Sequence, residues 1–265
     1  MEKLSVLKAV DISIVFGGLT AVSKFSCDLK EGELVGLIGP NGAGKTTIFN
    51  MLSGVYTPTS GQILFNDRNG KIVEINKKNP SQLNKMGIAR TFQNIRLFNS
   101  LTVADNVRIA LHNQRLVNPI DVLLRLPKFR RDEKLMNQKV NQILAILKLD
   151  DKKDELAKNL PYGEQRKLEI ARALASSPKL LLLDEPAAGM NPQETEELRQ
   201  MIELIRKEFN LTVLLIEHDM KFVMGICERL MVLDYGRKIA EGLPAEIKAN
   251  PEVIKAYLGS DANAV

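Results

Sequence analysis

Gly39-Pro40-Asn41-Gly42-Ala43-Gly44-Lys45-Thr46 follows the apolar run Leu34 to Ile38 and leads into the helical run Thr47 to Leu52. The letters fit G-x-x-x-x-G-K-[ST], and the strand before and the helix after supply the context that gives the pattern meaning. Glycines let the backbone wrap phosphates, and the N–H groups opening the helix point at anionic oxygens. Lys45 reaches the outer phosphates, and the Thr46 hydroxyl suits Mg²⁺. At average residue frequencies the pattern arises by accident in a chain of this length about once in a hundred cases. Strand, phosphate loop and helix in that order predict an α/β fold with the loop at a strand's C-terminal end.

Two more strands point to the same rim. Leu180-Leu181-Leu182-Leu183 is apolar without interruption, as a strand buried on both faces requires, and it ends in Asp184-Glu185. Asp184 suits a Mg²⁺ shell, usually through water, and Glu185 could accept a proton from attacking water. Leu211 to Ile216 ends in Glu217-His218-Asp219, which brings an imidazole to that edge, whereas His112 in the helical middle reads as a structural or surface residue. Helices expected over roughly Gln193 to Phe209 and Met220 to Arg229 complete a βαβα order, which implies parallel strands between helical layers.

Nearer the N-terminus, Val6 to Val15, Ala21 to Leu29, Ile63 to Phe65 and Ile72 to Ile75 read as strands, parted by turn residues such as Gly17-Gly18 and Thr57 to Gly61. This pattern predicts sheet with hairpins. From Val103 to about Leu149 helices take over, with Val140, Ile143, Leu144 and Leu147 at 3.6-residue spacing and Pro119 and Pro127 as interruptions. Leu230 to Leu233 and Arg237 to Ala240 form a closing hairpin about Asp234-Tyr235-Gly236, followed by a short helical tail.

The composition is that of an ordinary globular chain: 265 residues, 45% hydrophobic and 26% charged, which argues against disorder, collagen-like repeats or a small disulfide scaffold. At about 150 residues per domain this allows one large domain or a domain with a subdomain. No apolar stretch approaches the roughly 20 residues of a spanning helix. Met1-Glu2-Lys3-Leu4-Ser5 lacks the features of a secretion signal, so the expected compartment is the cytosol, where Cys27 and Cys227 read as buried or partly buried thiols. A net charge of +5 suits anionic ligands or a lipid surface and, without aromatic-basic interleaving, gives nucleic acid no footing.

Leu160-Pro161-Tyr162-Gly163-Glu164-Gln165 opens another helix, with small residues at Ala171, Ala173 and Ala175. Proline in a first helical turn costs no hydrogen bond, so the backbone N–H groups of Tyr162 and Gly163 are candidates to face an anion. The order of the phosphate loop, Gln93 within Arg90-Thr91-Phe92-Gln93-Asn94, Leu160 to Gln165 leading into Glu169 to Leu174, Leu183-Asp184-Glu185-Pro186, and His218 resembles the ABC-type ATPase cassette over nearly the whole chain. More narrowly, Phe16 to Val22, Pro186 to Pro192 and Ile216 to Met224 look like the ATP-binding subunits of bacterial branched-chain amino-acid importers.

The resemblance implies a single cassette over 1–265. Residues of about 1–93 and 178–240 would form a mostly parallel P-loop core with an N-terminal antiparallel β-subdomain, about 94–177 a helical signature subdomain, and about 241–265 a helical tail. It also implies roles. ATP and Mg²⁺ would bind with Phe16 stacked on adenine, Gly39, Pro40, Asn41, Gly42, Ala43, Gly44, Lys45, Thr46 and Thr47 around the triphosphate, and Thr46, Gln93 and Asp184 toward the metal. Gln93 would also touch the attacking water, Glu185 would be the base, and His218 would hold the γ-phosphate. Leu160, Pro161, Tyr162, Gly163 and Glu164 would close on ATP held by an opposite subunit. A flat ring suits a purine and a neutral amide can orient water, although a phenylalanine is otherwise a core residue.

Implied partners are a second ATPase subunit, two membrane permease subunits and, indirectly, a substrate-binding protein, with the chain on the cytoplasmic face of the membrane. Two departures bear on this. Pro161 stands where the common Leu-Ser-Gly-Gly-Gln pattern has serine, and Asn191 stands where many cassettes have aspartate, so a heterodimer with a different cassette is expected. An exporter cassette, such as that for lipopolysaccharide, shares the core motifs but fits Phe16 to Val22 less well. A soluble repair or ribosomal cassette would need a coiled-coil insertion or tandem cassettes, and a GTPase its Asn-Lys-x-Asp reader. Asn118 to Lys134, apolar with a basic edge, suits either the membrane subunits and anionic lipid or, more commonly for such runs, packing with a solvated edge.

Overall fold

The computed structural model describes residues 4–112 and 127–261, without the side chains of 112, 127–130 and 259–261. The chain divides into two compact units, one of residues 1–93 with 179–265 and one of 94–178.

The first unit holds two sheets. Strands β1 (Ser5–Phe16), β2 (Leu19–Lys30), β4 (Ser60–Asn66) and β5 (Ile72–Glu74) form an antiparallel sheet in the order β2-β1-β4-β5. The other sheet runs β10-β9-β3-β8-β7-β6, from β3 (Leu34–Ile38), β6 (Ile88–Arg90), β7 (Leu180–Asp184), β8 (Thr212–Ile216), β9 (Arg229–Asp234) and β10 (Arg237–Gly242). Its pairs are parallel except the closing hairpin β9-β10. Every residue of β3, β7 and β8 is buried, as their apolar runs require, and the burial extends to the polar ends Asp184 of β7 and Thr212 of β8. Both sheets share one core with helix α1 (Lys45–Leu52), whose Ile48, Phe49, Met51 and Leu52 lie among Val6, Phe25, Leu37, Leu182 and Leu214.

Helices α2 (Pro80–Met86), α6 (Pro192–Glu208), α7 (Met220–Ile226), α8 (Pro244–Ala249) and α9 (Pro251–Asp261) complete that unit. Asn191 caps α6 by accepting from the Gln193 and Glu194 N–H groups, and Glu194 reaches back to the Asn191 N–H. The helix expected over Met220 to Arg229 is shorter than its pattern suggests. It ends at Ile226 because the chain must be extended again from Arg229 to pair with β3. Neither α2 nor β6 was legible in the sequence. Three residues carry no period, and β6 exists through its pairing with β7.

The second unit is helical: α3 (Val103–His112), α4 (Pro127–Ile146), a 3-10 turn at Ala157–Asn159 and α5 (Tyr162–Ala175). The periodic residues Val140, Ile143, Leu144 and Leu147 are all buried. Of the basic segment 118–134, residues 118–126 lie outside the described residues.

Candidate nucleotide site

Register explains why distant motifs meet. Leu37 of β3 pairs with Ile216 of β8, and Ile216 pairs with Asp184 of β7, so the three strands end in one row. The segments leaving these strands therefore emerge at one edge: the phosphate loop after Ile38, Glu185 after Asp184, and Glu217-His218 after Ile216. Arg90 and Thr91 leave neighbouring β6 two residues below that row, with the Thr91 N–H donating to the Leu182 carbonyl at 3.0 Å.

The phosphate loop is held by its backbone. Gly39 has φ +149°, and a Cβ there would lie 2.2 Å from the Leu233 carbonyl oxygen, so only glycine fits. Lys45 is buried, and its ammonium donates to the carbonyls of Gly39 at 2.6 Å and Pro40 at 2.9 Å. Burial pulls its pKa down, and the Glu185 carboxylate pushes it back up to a lesser degree. Among the described residues no carboxylate lies within ion-pair distance of it. Helix α1 has no side-chain cap and no acidic residue in its first turn. A buried cation with no ion-pair partner among the described residues, beside an uncapped helix N-terminus, forms a cradle suited to a polyphosphate. Thr46 and Asn41 are exposed beside it, and Thr47 is half-buried.

Glu185 stands just past β7 at φ +45°, a left-handed conformation costly for a side chain with a Cβ, held by its N–H donating to the Ile216 carbonyl at 2.9 Å. Its Oε2 accepts from Gln93 Nε2 at 2.9 Å and lies 3.8 Å from His218 Nδ1. His218 is mostly exposed and lies equally far, 3.8 Å, from Oε2 of Glu217. Asp184 is buried and paired through Oδ2 with Arg90 at 2.8 Å. Thus Lys45, Gln93, Asp184, Glu185 and His218, spread over 174 sequence positions (from 45 to 218), gather at one strand-end rim.

Thr46, Gln93 and Asp184 offer a hydroxyl, an amide and one carboxylate. Among the described residues no cluster of three or more His, Cys, Asp or Glu could hold a metal alone. Few hard oxygen donors beside a polyphosphate cradle fit Mg²⁺, which keeps waters and shares phosphate oxygens rather than seeking a protein cage. Phe16 is no core residue. It is 43% exposed and meets Tyr56 edge to face, with centroids 5.3 Å apart.

In the helical unit, Pro161 begins α5 with no side-chain cap, as its sequence implies, and its carbonyl accepts from the Glu164 and Gln165 N–H groups. Gln165 donates to the Leu160 carbonyl at 2.8 Å, Lys152 pairs with Glu164, and the buried Arg166 bonds Glu169 at 2.7 Å. Leu160 and Gly163 are buried, while Pro161 and Tyr162 are exposed.

Three residues at the rim carried no assigned role in the sequence. Glu217 is 1% exposed and accepts the Ala187 N–H at 2.7 Å and the His218 N–H at 3.1 Å, so one carboxylate ties the turn after Glu185 to the turn bearing His218. Burial raises its pKa against those hydrogen bonds. Its signal was present: a carboxylate one residue past an apolar strand, as for Glu185 itself. Arg90 stands in the sequence as a neighbour of Gln93, and its part follows from the need of the buried Asp184 for a compensating cation. Tyr257 of α9 has its pKa raised by burial, an effect that the neighbouring Gly39 backbone opposes, and nothing local in the sequence announces that proximity.

A nucleotide cradle at the edge of a parallel sheet, with carboxylates, an amide and an imidazole beside it and a separate helical unit in the same chain, defines a nucleotide-hydrolysing cassette. The ABC transporter family model matches residues 22–188, more than half of the chain, and the chain belongs to that family of transporter ATPases. A second model, branched-chain amino acid ATP-binding cassette transporter, matches residues 237–263. The chain is 47% identical over 244 residues to the high-affinity branched-chain amino acid transport ATP-binding protein LivG of Salmonella typhimurium, covering 92% of this chain and 94% of the relative. It is 43% identical to BraF of Pseudomonas aeruginosa, covering 96% and 98%, and 31% identical to the lipopolysaccharide export ATP-binding protein LptB of Escherichia coli, covering 97% and 99%. Among solved structures, the ADP conformation of the ATP-binding cassette MJ1267 superposes with a TM-score of 0.82 at 30% identity, covering 97% of this chain and 99% of that one.

Proposed function

We propose that this chain is the ATP-hydrolysing subunit of a membrane importer for branched-chain or other hydrophobic amino acids. The observation that carries the catalytic half is the gathering of Lys45, Gln93, Asp184, Glu185 and His218 at one rim. The cargo class is supported by 43–47% identity to branched-chain transport subunits, set against 31% to the lipopolysaccharide exporter protein, and by the match over residues 237–263.

In this reading Phe16, flanked by Tyr56, stacks on the adenine, and residues Gly39 to Thr47 bind the triphosphate through backbone N–H groups and Lys45. Thr46, Gln93 and Asp184 would hold Mg²⁺, which when bound neutralises phosphate charge. Gln93 orients the attacking water, and Glu185, already bonded to Gln93, takes its proton. His218 sits within reach of Glu185 and steadies the γ-phosphate. Leu160 to Glu164 serve a nucleotide on a partner cassette. With no serine hydroxyl at Pro161, backbone N–H groups act there, which favours a heterodimer with a different cassette. In this reading the chain is a peripheral subunit on the cytoplasmic face, attached to permease subunits; no helix among the described residues is long and apolar enough to cross a membrane.

Purification from membranes in mild detergent tests this. Two membrane proteins and a sister cassette are expected alongside the chain, with ATPase activity raised by a binding protein loaded with a branched-chain amino acid. Companions of an export complex, or a fully active homodimer, would overturn the corresponding part.

A further inference from the structure

Asp184 cannot sit buried and charged at the end of β7 without compensation, and the structure supplies it from one residue. Arg90 donates NH2 to Asp184 Oδ2 at 2.8 Å, while its NH1 donates to Asn50 Oδ1 at 2.7 Å and Ser53 Oγ at 2.8 Å. Asn50 belongs to α1, the helix that opens on the phosphate loop, and Ser53 caps its C-terminal end. The guanidinium lies between two rings, 5.6 Å from the centroid of Phe49 on α1 and 5.3 Å from that of Phe92, the residue before Gln93. The side chains of Arg90 and Asp184 are 8% and 7% exposed. One planar cation therefore touches the phosphate-loop helix, the segment carrying Gln93 and the strand-end carboxylate together. Arg90 takes Oδ2, and no hydrogen bond among the described residues uses Oδ1, so the pairing leaves that second oxygen of Asp184 for a ligand.

We propose that Arg90 is a positioning residue for the metal: it fixes which oxygen Asp184 presents and sets that oxygen in register with α1 and Gln93. The proposal rests on the assignment of Asp184 to the Mg²⁺ shell. Lysine cannot replace the group, since an ammonium has no planar fork to bridge Asp184 and Asn50 between two rings.

The test reads binding rather than turnover. Fluorescent ATP analogue affinity is measured for the full chain in an E185Q background, first with EDTA and then as Mg²⁺ is titrated, for the parent, R90K, R90M, N50A, D184N and R90M/D184N. Arg90 variants should bind nucleotide in EDTA within about twofold of the parent. They should need about tenfold or more Mg²⁺ for the half-maximal metal-dependent change, the size expected when a partner of a ligating carboxylate is lost. N50A, which removes one anchor without touching Asp184, should shift the midpoint the same way by less, and it carries the test with R90K if R90M does not fold. R90M/D184N should be no worse than D184N alone. A midpoint unchanged in R90K and N50A while D184N shifts it overturns the role of Arg90, as does equal weakening with and without Mg²⁺. A D184N midpoint equal to the parent's overturns the metal assignment itself.

Discussion

Replacing Glu185 with glutamine tests the assignment of the base, because it keeps the size and backbone of the side chain and removes only its capacity to take a proton. Glu185 Oε2 is the atom that accepts from Gln93 at 2.9 Å, and the glutamine carbonyl can preserve that bond by presenting its oxygen to the same amide. Packing and stability should therefore change little. A positioned general base contributes about 10²–10⁴-fold, or about 3–5 kcal/mol of barrier at about 1.4 kcal/mol per decade. Phosphate release by the transporter assembled with its companion subunits should fall by that factor, while the affinity for an ATP analogue measured by fluorescence stays within about twofold. The neighbours give a control. Because Glu185 sits at φ +45°, glycine relieves strain of about 1 kcal/mol there, offset by unfolded-state entropy and the lost bond to Gln93, so E185G should stay within about 1 kcal/mol of E185Q in stability. Turnover of E185Q within threefold of the parent, with binding intact, would remove Glu185 from the role of base.

Gly39→Ala puts a Cβ 2.2 Å from the Leu233 carbonyl oxygen and should cost about 3 kcal/mol or more in denaturant unfolding; an unchanged midpoint contradicts the loop geometry. Glu217 has its pKa raised by burial, so its contribution to stability is greatest below the ordinary carboxylate range and is lost as pH rises through the raised value. The melting temperature of the parent relative to E217Q should accordingly fall between pH 4 and neutrality, and a difference growing with pH would be the wrong sign. Asn191→Ala removes the acceptor for two N–H groups of α6 and should cost about 1 kcal/mol, or about 3 °C, whereas Asn191→Asp keeps the cap. Cys27, its thiol pushed up to about 12 by burial, and Cys227, raised likewise, should resist alkylation at pH 8 until the chain unfolds.

Much of the fold was readable because its signals are local. Unbroken apolar runs gave β3, β7 and β8, turn residues gave the β1-β2 hairpin, and 3.6-residue spacing gave the buried face of α4. The motif residues were also legible, since the phosphate loop carries its chemistry in its own letters. What stayed hidden depends on neighbours that only folding supplies. Arg90 is meaningful through Asp184, ninety-four positions away, and Glu217 through the Ala187 N–H, thirty away. Phe16 could not be told from a core aromatic until its exposure was known.

The row formed by Leu37, Ile216 and Asp184 has a consequence beyond the rim. Spacing between the rim side chains is inherited from interstrand hydrogen bonds, roughly 4.8 Å per step, so the sheet acts as the ruler of the proposed chemistry. A methyl misplaced in the interior, far from any nucleotide, that tilts β7 against β8 would blunt hydrolysis without altering one polar atom at the edge. Fidelity here is a property of the ladder as much as of the side chains it carries.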